Sequence, residues 1–166
     1  MHRPSIALAA IALTVASSWS AFAADAAPAT PGAIARKQID AGAARDWATL
    51  RTLYADNVRY VDPNGESAGV DAAIAALEKT LKPFGKVTVA VSKIYEGKDY
   101  AVAEWTASAI NSGEITLADG SQVPPTGNEV NLSIVTIYDI KDGKIASERN
   151  YYDALTLYGS LGLLGD

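Results

Sequence analysis

The chain has 166 residues, no cysteine and a single histidine, with a formal net charge of −5. That histidine is His2, so beyond the extreme N-terminus there is no imidazole base, no thiol nucleophile, no disulfide and no His or Cys metal ligand. Acid–base work falls to Asp, Glu, Tyr or Lys, and an acidic chain without a basic cluster does not suit a nucleic-acid backbone.

Residues 1–23 read as a secretory signal peptide. Met1-His2-Arg3 is a basic start, Ile6–Ala16 is a short apolar run, and Ala21-Phe22-Ala23 is a small-x-small pattern that predicts cleavage after Ala23. The expected location is periplasmic or secreted, with no membrane association after cleavage. An uncleaved anchor is the alternative, against which stands the shortness of the run. The remaining 143 residues suit one domain, with 13 basic and 19 acidic side chains and a net charge of −6.

Residues 24–30 read as a flexible leader and 31–166 as the domain. Thr30-Pro31 places an N-cap before Pro at the first helical position, starting a helix that Gly42 is expected to end. Asp46 caps a second helix with Trp47, Leu50, Leu53 and Tyr54 on one face. A short strand, 58–62, puts Val58, Tyr60 and Asp62 on one side and ends at Pro63-Asn64-Gly65.

A third helix covers about 70–82, with Val70, Ile74, Leu77 and Leu81 as its buried stripe. From Lys86 the period changes to two. Residues 96–99 turn the chain into a strand over 100–110, a polar loop occupies about 111–127, and a strand over 129–140 leads through Lys141-Asp142-Gly143 into the last strand. A terminal helix is expected over 154–163. Helices followed by antiparallel hairpins define an α+β domain.

Two stretches, YADNVRYVDPNGESAG (54–69) and DGKIASERNYYDALTLYGSLGLLGD (142–166), resemble the SnoaL-like (polyketide cyclase and ester cyclase) branch of the NTF2-like superfamily. The resemblance spans about 33–163. It implies a cone: a curved antiparallel sheet wrapped around three N-terminal helices, open at one end to a small molecule. It further implies a cofactor-free cyclase or a ketosteroid-isomerase-like isomerase acting on a carbonyl compound, and a homodimer. No metal, cofactor or nucleic-acid partner is expected. The alternative is a non-catalytic periplasmic binding protein for a small apolar or amphipathic ligand.

Strict alternation along the last strand puts Ile145, Ser147, Arg149, Tyr151 and Asp153 on one face and Ala146, Glu148, Asn150 and Tyr152 on the other. By the resemblance, Asp153 points into the cone as the acid–base residue, where desolvation would raise its pKa; it also sits where Asp caps a helix. Tyr60 is the second catalytic candidate, as a donor to an oxyanion, and a packed aromatic with its hydroxyl at the rim is the other reading. Asp62 is placed at the mouth, or else simply starts the turn at Pro63.

Arg149 departs from the aromatic residue common in the family. Facing inward, it would lie roughly 13 Å along the strand from Asp153, available to an anionic or carbonyl group or to Glu104 or Asp62; an inter-strand salt bridge is the competing reading. Glu104 faces solvent or is paired. Trp47, Tyr54 and Tyr151 complete the candidate substrate-binding set, Trp47 as core or pocket wall and Tyr151 as a second donor to an enolate.

Overall fold

The computed structural model describes residues 29–116 and 120–164. The signal-peptide expectation, and that for all but the last two residues of the leader, fall outside them. Helix α1 (Pro31–Ala44) starts as the sequence predicts: the Thr30 hydroxyl accepts from the Ala33 N–H, and the Glu96 carboxylate accepts from the Gly32 N–H at 2.5 Å. A carboxylate there meets the positive end of the helix dipole.

The helix does not stop at Gly42. It ends at Arg45, a left-handed residue with φ 55°. The Arg45 guanidinium donates to the carbonyls of Leu81, Phe84 and Gly85, tying the end of α1 to the end of α3. Those three bonds hold an arginine in a conformation usually left to glycine.

Asp46 caps α2 (Trp47–Leu53), as expected. β1 (Tyr54–Asp62) begins four residues earlier than the alternation suggested, because Tyr54 already pairs with the last strand. β2 (Gly65–Ala68), unanticipated, folds back on β1 through the Pro63-Asn64 turn. α3 (Val70–Leu81) is followed by β3 (Thr88–Glu96) and β4 (Tyr100–Ile110).

The polar segment 111–127 is not wholly irregular. It carries a two-residue pair, β5 (Ile115–Thr116) and β6 (Gln122–Val123), in a sheet of its own. Buried Asn111 pins its base: Nδ2 donates to the Pro83 and Gly113 carbonyls, and Oδ1 accepts from Thr126 N and Oγ1. β7 (Glu129–Lys141), β8 (Lys144–Tyr152) and α4 (Ala154–Ser160) complete the chain.

The main sheet runs β2-β1-β8-β7-β4-β3, curved and unclosed. It is not purely antiparallel, because β1 and β8 pair in parallel. The helices fill its concave side, where Ile34, Ile39, Leu50, Leu53, Tyr54, Val58, Ile74 and Ile145 form the core. Among the described residues no helix is long and apolar enough to cross a membrane.

β8 carries the decisive irregularity. Ile140 pairs with Ile145 but Asp139 pairs with Ser147, so Ala146 has no partner on β7 and forms a bulge. The parity of the strand changes there. Ile145 lies in the core, and beyond the bulge the inner face belongs to Glu148, Asn150 and Tyr152, the set that strict alternation had put outside.

Candidate active site

Inner-face residues stack in rows across the sheet. The first row is Tyr60, Glu148, Tyr138 and Ala101; the next holds Asn150, Thr136 and Ala103; a third holds Tyr152, Ile134 and Trp105. Further toward the open end come Leu132 with Ala107 and Val130 with Ala109. Alanines at 107 and 109 leave space where larger side chains would close the cone.

The result is a cavity of about 140 Å³, roofed by Gln38, Ile39, Gly42 and Ala43 of α1, by Leu77, Thr80 and Leu81 of α3, and by Phe84 and Leu157. Its polar side chains gather mainly at the β1–β8 end: Tyr60, Asp62, Glu148, Asn150 and Tyr152, with Gln38 above them. None of the described residues of the 111–127 segment lines it.

Glu148 is the centre of the polar group and only 1% exposed. Its Oε1 accepts from Gln38 Nε2 at 3.1 Å and Asn150 Nδ2 at 2.9 Å, and its Oε2 accepts from the Tyr54 hydroxyl at 2.6 Å. The polarity of these bonds is set at a distance. The Trp105 indole can only donate, and it donates to Thr136 Oγ1 at 3.0 Å. The Thr136 proton is thereby directed to Asn150 Oδ1, at 2.7 Å, leaving the Asn150 NH₂ facing Glu148.

On the other side the Tyr138 hydroxyl donates to Gln38 Oε1 at 2.8 Å, so the Gln38 NH₂ faces Glu148 and Tyr54. Two chains of donors thus converge on one carboxylate. Burial raises the Glu148 pKa to about 7, against the lowering effect of the Tyr54 and Asn150 hydrogen bonds and with a further push from the Asp62 charge. Burial also raises Tyr60, and Tyr152 to about 12, so both phenols stay neutral donors.

Thr136 makes no contact with the cavity, yet it orients Asn150. Replacing it by Val should raise the Glu148 pKa by about one unit, the loss of one donor to the charged form, and Thr136→Ser should restore it. A carboxyl-carbon NMR titration of Glu148 in the three proteins measures this directly.

The expected site residues separate into two groups. Tyr60 and Asp62 line the cavity together, and the Asp62 side chain also accepts from Asn64 N at 2.8 Å, so it serves the turn as well. The remaining candidates lie elsewhere. The expectation that Asp153 points inward is corrected: it is exposed, caps α4 by accepting from the Leu155 N–H and Thr156 hydroxyl, and those bonds lower its pKa rather than raise it.

Arg149 is on the outer face, paired with Asp139 of β7 at 2.7 Å, the inter-strand salt bridge with a partner other than Glu104 or Asp62. Tyr151 is 53% exposed on that face, and Glu104 is exposed there too. Trp47 packs against the core rather than the cavity. Tyr54 is fully buried and supports Glu148 instead of lining the pocket.

Sequence reasoning missed Glu148, Asn150, Gln38 and Tyr152. One signal was available: alternation from Ile145 put an arginine inside an apolar cone, a conflict that a one-residue bulge removes.

The SnoaL-like domain family matches residues 35–148. No curated protein matches the chain. Among solved structures, a candidate SnoaL-like polyketide cyclase from Jannaschia sp. CCS1 is similar with a TM-score of 0.70 at 22% identity, over 80% of this chain and 91% of that one. IdmH of Streptomyces antibioticus, a candidate polyketide cyclase, gives 0.65 at 21% over 80% and 98%. An LEH-like epoxide hydrolase of M. tuberculosis gives 0.60 at 16% over 77% and 86%. At such identities the likeness is one of fold, and this fold carries more than one chemistry. With a family match across most of the cone, the chain belongs to the SnoaL-like domain family of the NTF2-like superfamily.

Proposed function

We propose that the cone is the active site of a cyclase- or isomerase-type enzyme that moves a proton on a small, largely apolar carbonyl compound, with Glu148 as the general base. One observation carries the reading. A carboxylate with a pKa near 7 sits at the polar end of an apolar cavity, and every hydrogen bond to it is donated by the protein. Such a group is ionised enough to accept a proton at neutral pH and basic enough to be useful when it does.

In the proposed step a C–H bond alpha to the substrate carbonyl breaks, its proton passes to a Glu148 oxygen, and its electron pair forms the enolate. Tyr60 and Tyr152, neutral and in the same cavity, are the donors available to the enolate oxygen. Return of the proton to another carbon is isomerisation; attack of the enolate carbon on a second carbonyl is ring closure.

The test is to incubate the mature protein, Glu148→Gln and Asp153→Asn with a metabolite extract and follow every mass by liquid chromatography–mass spectrometry. A compound consumed by the wild type and Asp153→Asn, but not by Glu148→Gln, is expected. Equal consumption by Glu148→Gln removes Glu148 from the chemistry. A compound retained unchanged by all three identifies the binding protein instead.

Export and homodimer formation belong to the same proposal. Export is supported by the composition of residues 1–23, and a homodimer by the family. The mass of the exported chain should correspond to cleavage after Ala23, and light scattering should return twice that mass; an intact N-terminus or a monomer rejects the respective statement.

A further inference from the structure

We infer that the molecule this cavity accepts carries a cationic nitrogen on a compact apolar body. The inference rests on the reading of the cone as a small-molecule site and names the charge class of its ligand.

Two carboxylates, Asp62 and Glu148, line one cavity at 9% and 1% exposure. Carboxylates so deeply buried ordinarily lie beside a cation. Here none is near: among the described residues, those lining the cavity include no Lys, Arg or His. The guanidinium groups among the described residues are committed elsewhere, Arg36 to Asp40, Arg51 to Asp71, Arg59 to Glu66, Arg149 to Asp139, and Arg45 to backbone carbonyls. Lys144 reaches carbonyl oxygens of Thr52 and Tyr54.

The two oxygens of Asp62 are unequally held, one closely and one at long range. Its Oδ1 accepts a good bond from Asn64 N, but its Oδ2 has only the Tyr60 hydroxyl and the Asn64 amide, both at 3.4 Å. Hydrogen bonds to carboxylates are normally about 2.5–3.2 Å. On this residue, 9% exposed at the cavity wall, that loosely held oxygen has room for a closer donor than the protein supplies.

The rest of the wall suits the same guest. Tyr60, Phe84, Trp105 and Tyr152 bring aromatic rings to the cavity, and an ammonium group is drawn to such faces. An anion would meet like charge, and a neutral hydrocarbon would use the walls but bring neither carboxylate a counter-charge. A cationic nitrogen near a carbonyl would, in addition, stabilise the enolate that the proposed reaction forms.

A matched pair of probes isolates the charged donor: N,N-dimethylbenzylammonium and isobutylbenzene have the same shape and differ in one atom, N⁺–H in place of C–H. Both are titrated into the wild type and Asp62→Asn, followed by NMR at the Trp105 indole and Asn150 side-chain amide. The cation is expected to bind about tenfold or more tightly than the hydrocarbon in the wild type, a ratio that falls to within about twofold in Asp62→Asn. Equal or tighter binding of the hydrocarbon, or a ratio unchanged by Asp62→Asn, overturns the inference and leaves the small-molecule site standing. If neither probe moves the cavity resonances, the inference and the small-molecule reading both fail.

Discussion

Substitution of Glu148 by Gln is expected to lower kcat by about 10²- to 10⁴-fold, the usual contribution of a positioned general base. Gln matches Glu in size and can still accept through its one oxygen from Gln38 and Asn150, so the cavity keeps its shape while losing the proton acceptor. A role confined to packing would leave kcat nearly intact. The pH profile separates the two further. Wild-type kcat should rise with pH through about 7, where Glu148 loses its proton, whereas the residual rate of Glu148→Gln should show no inflection there. Steady-state rates across that range, on the compound identified in the metabolite screen, decide it.

The second large effect is on stability. Glu148 titrates near 4.5 in an unfolded chain and at about 7 in the folded one. Between these values the folded state holds a proton that the unfolded state has released. Its stabilising contribution is therefore complete below about 4.5 and is lost as the pH rises through about 7. That rise corresponds to about 3 kcal/mol, spent on ionising a buried carboxylate. Glu148→Gln has no such proton, so relative to the wild type it should gain about 3 kcal/mol of stability between about pH 4 and pH 8. Exposed acids with lowered pKa values, Asp46, Glu66 and Asp153, have the opposite pH dependence, but they are common to both proteins and cancel in the difference. Urea unfolding of the pair at the two pH values gives the number, and a gap independent of pH rejects a buried, late-titrating Glu148.

The same exchange shows why the site is costly to keep. Three donors and complete burial serve a carboxylate that would be better solvated outside. Tyr138 holds the Gln38 amide, and Trp105 through Thr136 holds the Asn150 amide, each in one orientation. Such a network stabilises the fold only while all its members are satisfied, and no buried side-chain polar atom among the described residues lacks a partner.

Much of the architecture was legible residue by residue. Thr30-Pro31 started α1, Asp46 started α2, the stripe through Val70, Ile74 and Leu77 marked α3, and Asp142-Gly143 turned β7 into β8. These are local signals, complete within a few residues of chain. The end of α1 was misread at Gly42 because the true stop, Arg45, is held by carbonyls of residues 81, 84 and 85. The cavity was half legible. Tyr60 and Asp62 lie on a stretch of β1 whose alternation is unbroken: alternation put them on one face, and the resemblance turned that face to the mouth, where both line the cavity.

The last strand is where local reasoning stopped short. Sequence by itself determined that a strand follows the Asp142-Gly143 turn, that a short helix follows that strand with Asp153 either capping it or pointing into the cone, and that no histidine or cysteine serves the site. It left open which face of that strand looks inward, because a bulge is defined by what the neighbouring strand pairs with. Only the packed sheet, with Ala146 left over between β7 and β8, turned Glu148 into the cone and Arg149 out to Asp139. The physical reason is that side chains alternate with a period of two, so a single unpaired residue exchanges the two faces of everything beyond it.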